Sequence, residues 1–217
     1  MADLARRLAV PLGVDEVLAG VTRMVLEVIP GADVAGFLLF TKAGKFETQA
    51  ATSELMFEID RLQVEHGEGP CIEAAVDDLI VRTDDFTDEQ RWPNYSAAVL
   101  KLGVRSALSF KLYTSRRNAG ALNIFSFESA AFGPEDEAVG QVLAAHAAAA
   151  ILASRQGEQL QSALSSRDLI GQAKGIIMER YDVDAIRAFE LLKALSQTEN
   201  VKLVEIAKRV IDTRSDT

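Results

Sequence analysis

Cysteine and histidine are scarce in this 217-residue sequence. It contains one cysteine, Cys71, and two histidines, His66 and His146. A single thiol cannot form an internal disulfide, and these side chains are too few to build a zinc site. The composition therefore predicts no metal site and no required cofactor.

Long apolar runs are also lacking. The most apolar stretch, 142–153, is interrupted by His146 and is shorter than the roughly 20 residues that cross a bilayer. Arg6 and Arg7 precede no long apolar core of the kind found in a signal peptide. These observations predict a cytoplasmic protein without a membrane span.

Charge is distributed unevenly along the chain. The net charge is -9, but residues 160–217 contain nine basic and nine acidic side chains, so the part before residue 160 carries the whole excess. An acidic body repels nucleic acid, whereas a neutral segment can gather its basic groups on one face and bind phosphates. The charge pattern therefore permits nucleic-acid binding at the C-terminal end.

Apolar patterning in the first 130 residues alternates between helix and strand. A helical stripe covers 14–29, and two pairs of β-rich runs read as hairpins, over 34–41 with 46–52 and over 104–114 with 120–127. Further helices are expected over 55–65 and 95–102, and a short strand over 79–83. This order predicts an α+β domain with an antiparallel sheet and flanking helices, not a βαβ arrangement.

A long helix is predicted from Pro134 onward, because proline suits the first helical turn and the acids after it favour the positive end of the helix dipole. Its seam is rich in alanine, which suits a close parallel coiled-coil pair and hence a homodimer. The sequence leaves open whether Ser165 and Ser166 interrupt this helix before Tyr181. The seam residues, spaced three and four apart, are Val139, Val142, His146, Ala149, Ala153, Gln156, Leu160 and Ala163.

Three short amphipathic helices are predicted after residue 165. Asp184 is placed to cap the second helix and Asn200 to cap the third. A bundle this small is marginally stable alone, so we expect it to pack against the long helix or against a second subunit. The inner faces are predicted to be Leu169, Ile170, Ala173, Ile176 and Ile177, then Ala188, Phe189, Leu192 and Leu195, then Leu203, Ile206, Ala207 and Val210.

Two sets of motifs resemble known domains. Over 164–212 the run Ala173-Lys174-Gly175, the pair Ala188-Phe189 and the final Ala207 fall in the order and spacing of the ANTAR domain of bacterial transcription antiterminators. Asp182 departs from that pattern, because relatives usually have glycine there, although aspartate tolerates the left-handed conformation. The upstream motifs resemble the GAF sensor domains fused to ANTAR in actinobacteria; they are Gly67-Glu68-Gly69-Pro70-Cys71, Asp85 with Arg91-Trp92-Pro93, Gly103-Val104-Arg105-Ser106 and Gly120-Ala121-Leu122-Asn123.

The resemblance implies a GAF sensor domain over 1–152, a coiled-coil signalling helix over 134–165 and an all-α, three-helix ANTAR domain over 166–213. It further implies a homodimer that binds a pair of RNA hairpins with hexanucleotide loops in an mRNA leader and so prevents a terminator from forming. No bond is made or broken, so the protein is not expected to be an enzyme. The RNA-binding candidates are Arg167, Ala173, Lys174, Gly175, Arg180, Ser196, Asn200, Lys208 and Arg209, with Lys193 and Lys202 as further basic residues.

Each candidate residue also has a purely structural interpretation. Lys174 can neutralise a phosphate while Ala173 and Gly175 let a backbone come close, but the same small residues suit tight helix packing. Cys71 follows a Gly-Glu-Gly-Pro bend that invites a redox hypothesis, and it is equally a small core residue. Arg91, Trp92 and Asp85 either line a small-molecule pocket or only stabilise the edge of the sheet.

Three alternatives compete with antitermination. A methionine sulfoxide reductase would need paired cysteines, and one cysteine cannot complete that cycle internally. A DNA-binding regulator could use 201–211 as a recognition helix, but Val201, Leu203 and Val204 stand where base-reading polar groups are expected. The third is a GAF-fold redox or ligand sensor that acts through protein partners. Its input could be a small-molecule ligand, a redox state or an upstream signalling protein. The signal itself is not identified by the sequence.

Overall fold

The computed structural model describes residues 13–40, 45–76, 79–114 and 117–213. The chain divides into two compact units, 1–154 and 155–217. The first unit contains a mixture of strands and helices, and the second is helical. Each unit has its own apolar core.

A five-stranded antiparallel sheet forms the centre of the first unit. Its strands are paired in the order β2-β1-β5-β4-β3. The sheet confirms the predicted α+β class, and both predicted hairpins are present as β1 with β2 and β4 with β5. The strands are β1 Val34–Phe40, β2 Phe46–Gln49, β3 Ile80–Thr83, β4 Ser106–Thr114 and β5 Arg117–Ser126.

Helices cover both faces of the sheet, because apolar side chains alternate along the strands. On one face, Phe37 and Leu122 pack in a core with Leu18 of α1. On the other face, Val34 and Phe125 pack with helices α2 and α4. The helices of this unit are α1 Val14–Val28, α2 Leu55–His66, α3 Pro70–Val76 and α4 Pro93–Val99, the last followed by a 3-10 turn at Leu100–Leu102.

The long helix α5 runs from Pro134 to Tyr181 without interruption. Ser165 and Ser166 are therefore helical, since serine costs only a fraction of a kcal/mol in a helix interior and neither glycine nor proline stands beside the pair. The first of the three predicted C-terminal helices is the end of α5, so the continuity that the sequence left open is present. The second and third are α6 Ala185–Glu199 and α7 Leu203–Asp212.

The apolar content of α5 reaches the level of a membrane span. By length and composition alone the helix contains an 18-residue window with a mean hydropathy of 1.3, of which 22% is buried. Ala144, Ala147 and Ile151 of this helix pack in the core of the first unit, and this packing accounts for part of its hydropathy.

The second unit packs α6 and α7 against the end of α5. Ala173, Ile177, Ala188, Leu192, Ile206 and Ala207 form its buried core, which confirms most of the predicted inner faces. Phe189 and Leu195 were also predicted to be internal, but they are 41% and 42% exposed. Each lies at the margin of the stripe that Ala188 and Leu192 define, so their side chains only partly reach the core.

Two polar residues end and begin the helices of this unit. Asp184 caps α6, since its Oδ1 accepts hydrogen bonds from the backbone N–H groups of Ile186 and Arg187 at 3.0 and 2.8 Å. The prediction that Asn200 caps α7 is wrong. Asn200 lies in the left-handed region with a φ of 54° and ends α6, while Lys202 precedes α7 without a side-chain cap. Asp182, with a φ of 50°, adopts the left-handed turn expected of it.

Candidate functional site

Lys174 lies on α5 between a buried residue and an open one. Ala173 is fully buried in the core of the second unit, so its small size serves packing. Gly175 is exposed, and a Cβ atom added to it would meet nothing within 4 Å. The two small neighbours of Lys174 therefore differ in role. Ala173 packs in the core of the second unit, and Gly175 leaves open space beside the half-buried Lys174.

The helical turn brings only some of the basic candidates together. Arg167 and Lys174 are seven residues apart and share one stripe of α5, about 20° from each other. Arg180 lies about 120° away around the same helix. It lines an apolar groove of about 580 Å³ between α5 and α6, together with Arg187 and Leu191. Arg180 is therefore not part of the surface that bears Lys174.

The remaining candidates lie at the connection between α6 and α7 or on α7. Ser196 Oγ donates a 2.6 Å hydrogen bond to the carbonyl oxygen of Val201, and Asn200 provides the left-handed turn beside it. Lys208 pairs with Glu205 at 3.0 Å, and Arg209 pairs with Glu199 at 2.6 Å. Ser196 and Asn200 thus shape the connection, and the two basic residues are partly neutralised by neighbouring acids.

Phe189, like Leu195, was predicted to be internal but is exposed. It lies on the edge of α6 that also carries the exposed Lys193 and the partly buried Ser196, since these positions are spaced four and three apart. The groove lined by Arg187 and Leu191 occupies the opposite edge of the same helix. Because a phenylalanine in an apolar stripe predicts burial, nothing in the sequence pattern indicated this exposed ring.

Cys71 is fully buried and packs with Leu38 and Ala121. Its backbone N–H donates to Gln63 Oε1 at 2.9 Å. Burial, reinforced by the nearby Asp60 carboxyl, raises the pKa of the Cys71 thiol well above its usual range. The site therefore disfavours the thiolate that redox chemistry would need.

The side chains of Arg91, Trp92 and Asp85 are engaged within the protein. The Arg91 guanidinium lies over the Trp92 ring at 4.2 Å, and Trp92 Nε1 donates to Glu73 Oε2 at 2.9 Å. Asp85 pairs with Arg105, and hydrogen bonds from that guanidinium and from the N–H of Thr87 hold the pKa of the Asp85 carboxyl well below its usual range. Through these contacts Arg91, Trp92 and Asp85 hold their loops against the sheet.

A polar cluster lies between α2 and the sheet, and the sequence analysis did not identify it. Asp60, which is 1% exposed, accepts hydrogen bonds from Thr48 Oγ1 at 2.8 Å, Gln63 Nε2 at 3.2 Å and Asn123 Nδ2 at 3.3 Å. Asn123 Oδ1 in turn accepts from Ser109 Oγ at 2.8 Å. Burial raises the pKa of Asp60 to about 7, against the lowering effect of these hydrogen bonds.

Solved structures that share this fold include sensor and signalling domains and an enzyme. The GAF domain of a phosphoenolpyruvate-protein phosphotransferase from Coxiella burnetii matches with a TM-score of 0.56 and 20% identity, covering 73% of this chain and 94% of that one. A domain of a sensor histidine kinase protein from Sinorhizobium meliloti matches with a TM-score of 0.56 and 17% identity, covering 70% and 99%. A type II free methionine-R-sulfoxide reductase from Thermoplasma acidophilum matches with a TM-score of 0.52 and 22% identity, covering 64% and 92%.

The first unit is an antiparallel five-stranded sheet with helices on both faces, and a helical unit follows it. Residues 11–152 match the family model described as the GAF domain, and residues 158–211 match the ANTAR domain. The chain belongs to the GAF family, with an ANTAR domain following the sensor, and this pair of domains is that of a signal-sensing regulator. None of the curated proteins matches the chain.

Proposed function

We propose that this protein is a signal-responsive, RNA-binding transcription antiterminator of the cytoplasm, with no enzymatic activity. It acts as a homodimer that binds paired hexaloop hairpins in nascent RNA and prevents terminator formation. Two observations support the proposal: Lys174 lies half-buried beside the open Gly175 on α5, and the ring of Phe189 on α6 is exposed. The GAF domain receives the signal, from a small molecule or an upstream signalling protein.

These residues provide the two kinds of group through which proteins bind single-stranded RNA loops, a cation and an aromatic ring. Lys174 and Arg167 offer cations to phosphates, and the exposed Phe189 ring offers a face on which an unpaired base can stack. Phe189 lies on the side of α6 that is opposite to the apolar groove.

Loop contacts, more than charge, should determine RNA affinity. The basic residues Lys208 and Arg209 are paired with Glu205 and Glu199, so they add little to a positive field. The first unit is acidic and repels phosphates. We therefore expect loop-sequence dependence and a shallow salt dependence. DNA binding by α7 is disfavoured, because its Ile206 and Ala207 are buried in the unit's own core.

The seam of α5 supports the homodimer. Every seam residue from Val139 to Ala163 is exposed in the single chain. Another side of the same helix carries Ala144, Ala147 and Ile151, which are buried against the sheet. The seam includes strongly exposed apolar side chains, since Val142 is 70% exposed and Leu160 is 64% exposed. A second copy of the helix would cover this surface in the manner of a coiled coil.

The central test is binding of the full-length protein to a paired hexaloop hairpin RNA, with a loop-scrambled RNA as the reference. Lys174→Ala is expected to weaken binding about tenfold and to lower the salt slope by about one, because one phosphate contact is lost. Lys101→Ala, on an exposed lysine of the first unit, serves as the charge-matched control and should bind like the wild type. Equal wild-type affinity for both RNAs would contradict antitermination, and preference for duplex DNA would favour the DNA-binding alternative.

Replacement of the Phe189 ring should distinguish stacking of this ring on an RNA base from a role in packing within the protein. Phe189→Ala is expected to lower affinity for the hairpin RNA by roughly 5- to 150-fold, since base stacking on an aromatic ring contributes about 1–3 kcal/mol. Leu191→Ala is the matched control, because Leu191 is similarly exposed, at 37% against 41%, but lies on the groove side of α6. If the two variants lost affinity equally, Phe189 would have only a structural role.

The dimer seam can be tested by introducing a charge. Leu160→Asp places a carboxylate in the proposed interface, which costs at least about 2 kcal/mol when it is buried without a partner. The dimer dissociation constant, measured by sedimentation equilibrium, is therefore expected to rise roughly 30-fold or more. Gln161→Asp adds the same charge at the next residue, an exposed position outside the seam, and should leave dimerisation unchanged. A monomeric wild type would refute the seam as an interface.

A further inference from the structure

A pocket of about 310 Å³ opens between α2 and β2, away from the Arg91 and Trp92 contacts. Its apolar walls include Phe57 and Val64, each 47% exposed, and its polar lining includes Thr48 and Asp60. We call it the α2–β2 pocket. It is wide enough for a small organic molecule, and its apolar side chains already face solvent, so an alkyl group bound there would remove them from water.

The charges around the pocket are predominantly negative. Arg61 is its only cation among the described lining residues, and its guanidinium is bound by Glu58 and by Glu65, each at 2.6 Å. Two carboxylates therefore neutralise one guanidinium, and Asp60 adds a further carboxyl group. A phosphate or nucleotide would be repelled here, whereas a cation would be attracted.

Asp60 is the group that a cation would satisfy. Thr48, Gln63 and Asn123 donate to it, and all three are neutral, so the buried carboxyl forms no ion pair with a cation of the described residues. The titratable groups that face it, Cys71 and Tyr95, are acids and add no positive charge. Burial raises the pKa of Asp60 to about 7, as expected for a carboxyl that lacks a cationic partner.

The polar cluster around Asp60 is also incompletely satisfied. The Tyr95 hydroxyl is fully buried and has no hydrogen-bond partner among the residues that the structure describes. Burial and the neighbouring Asp60 carboxyl raise the pKa of this phenol well above its usual range. The buried Tyr95 hydroxyl has no hydrogen-bond partner among the described residues, and the neighbouring Asp60 carboxyl forms no ion pair with them. Together these two features indicate that the region has a role other than packing.

We propose that the α2–β2 pocket binds a small organic cation, in which a primary ammonium group pairs with the Asp60 carboxylate and an alkyl portion packs on Phe57 and Val64. The ammonium replaces the proton of Asp60, which passes to solvent, so charge and atoms balance: a carboxylic acid and an alkylammonium ion give an ion pair and one proton. This assigns a chemical class to the signal of the proposed function, on which it rests. The test requires no RNA, so the two can fail independently.

The experiment follows the Asp60 carboxyl by carbon NMR in the full-length protein, with n-butylammonium chloride as the probe. At a probe concentration ten times its Kd, the apparent pKa of Asp60 is expected to fall by about one unit relative to the same concentration of sodium chloride. The neutral analogue 1-butanol should bind at least about tenfold more weakly, because it lacks the charge. A pKa that responds equally to both salts would overturn the proposal.

Variants at the α2–β2 pocket distinguish butylammonium binding at this site from a general effect of salt. Asp60→Asn keeps acceptor and donor groups for Gln63, Asn123 and Thr48, and it is expected to weaken butylammonium binding at least about tenfold in calorimetry. Phe57→Ala, at a half-exposed position, should weaken binding several-fold without affecting folding. Asp88→Asn, on an exposed loop carboxylate, is the control and should bind normally. Unchanged binding in both Asp60→Asn and Phe57→Ala would refute the pocket as the site.

Discussion

Gly120→Ala is expected to unfold the first unit under conditions in which the wild type is stable. Gly120 has a φ of 127° in β5, and a Cβ atom at this position would lie 1.9 Å from the carbonyl oxygen of Leu38 and 2.8 Å from Leu39 Cα. The obstructing atoms belong to the backbone of β1, which pairs with β5 directly opposite Gly120. Relief would require separating the two central strands, so we expect a loss of more than about 4 kcal/mol.

Urea unfolding followed by tryptophan fluorescence measures this loss. Trp92 is the only tryptophan of the chain and lies in the core of the first unit, so its emission reports that unit. Gly20→Ala is the control, because Gly20 lies within α1 with nothing within 4 Å of an added Cβ. That variant should gain roughly 0.5–1 kcal/mol from helix propensity. A Gly120→Ala midpoint close to that of the wild type would show that β1 and β5 can separate locally at little cost.

The elements that depend on local pattern could be predicted from the sequence. Strand pairs followed from period-two runs, and the Asp184 cap followed from an acid directly before an amphipathic run. The sequence allows two positions for Asn200, before a helix or after one. Asparagine suits both the residue before a helix and the left-handed residue after one, and only the chain direction at the α6 terminus selects the second role.

The two residues most informative about function contradict the simple amphipathic pattern. Phe189 is apolar but exposed, and Asp60 is charged but buried. Spacing along one helix cannot predict either environment. Asp60 is stabilised by Thr48 and Asn123, which lie 12 and 63 residues away in the chain and meet it only in the folded sheet. The exposed ring of Phe189 and the α2–β2 pocket can therefore be identified only from the tertiary structure.

Asp60→Asn is expected to remove a large pH dependence of the first unit's stability. The pKa of Asp60 is raised from 3.8 to about 7 in the folded protein, so the native state holds this proton more tightly than the unfolded chain does. The free energy of unfolding of the wild type therefore falls as pH rises from about 4 to about 7. The contribution is fully present below about pH 4 and is lost as pH rises through about 7.

The difference between Asp60→Asn and the wild type isolates this proton, because all other groups titrate in both proteins. We expect the free energy of unfolding of the variant, relative to the wild type, to increase by on the order of 4 kcal/mol between about pH 4 and about pH 8. Urea unfolding of the two proteins across this range, with Trp92 as the reporter, measures it. A difference that stays constant with pH would mean that Asp60 ionises at its ordinary pKa in the folded state. The buried carboxyl would then already have a compensating partner, and the cation site inferred for the α2–β2 pocket would lose its electrostatic basis.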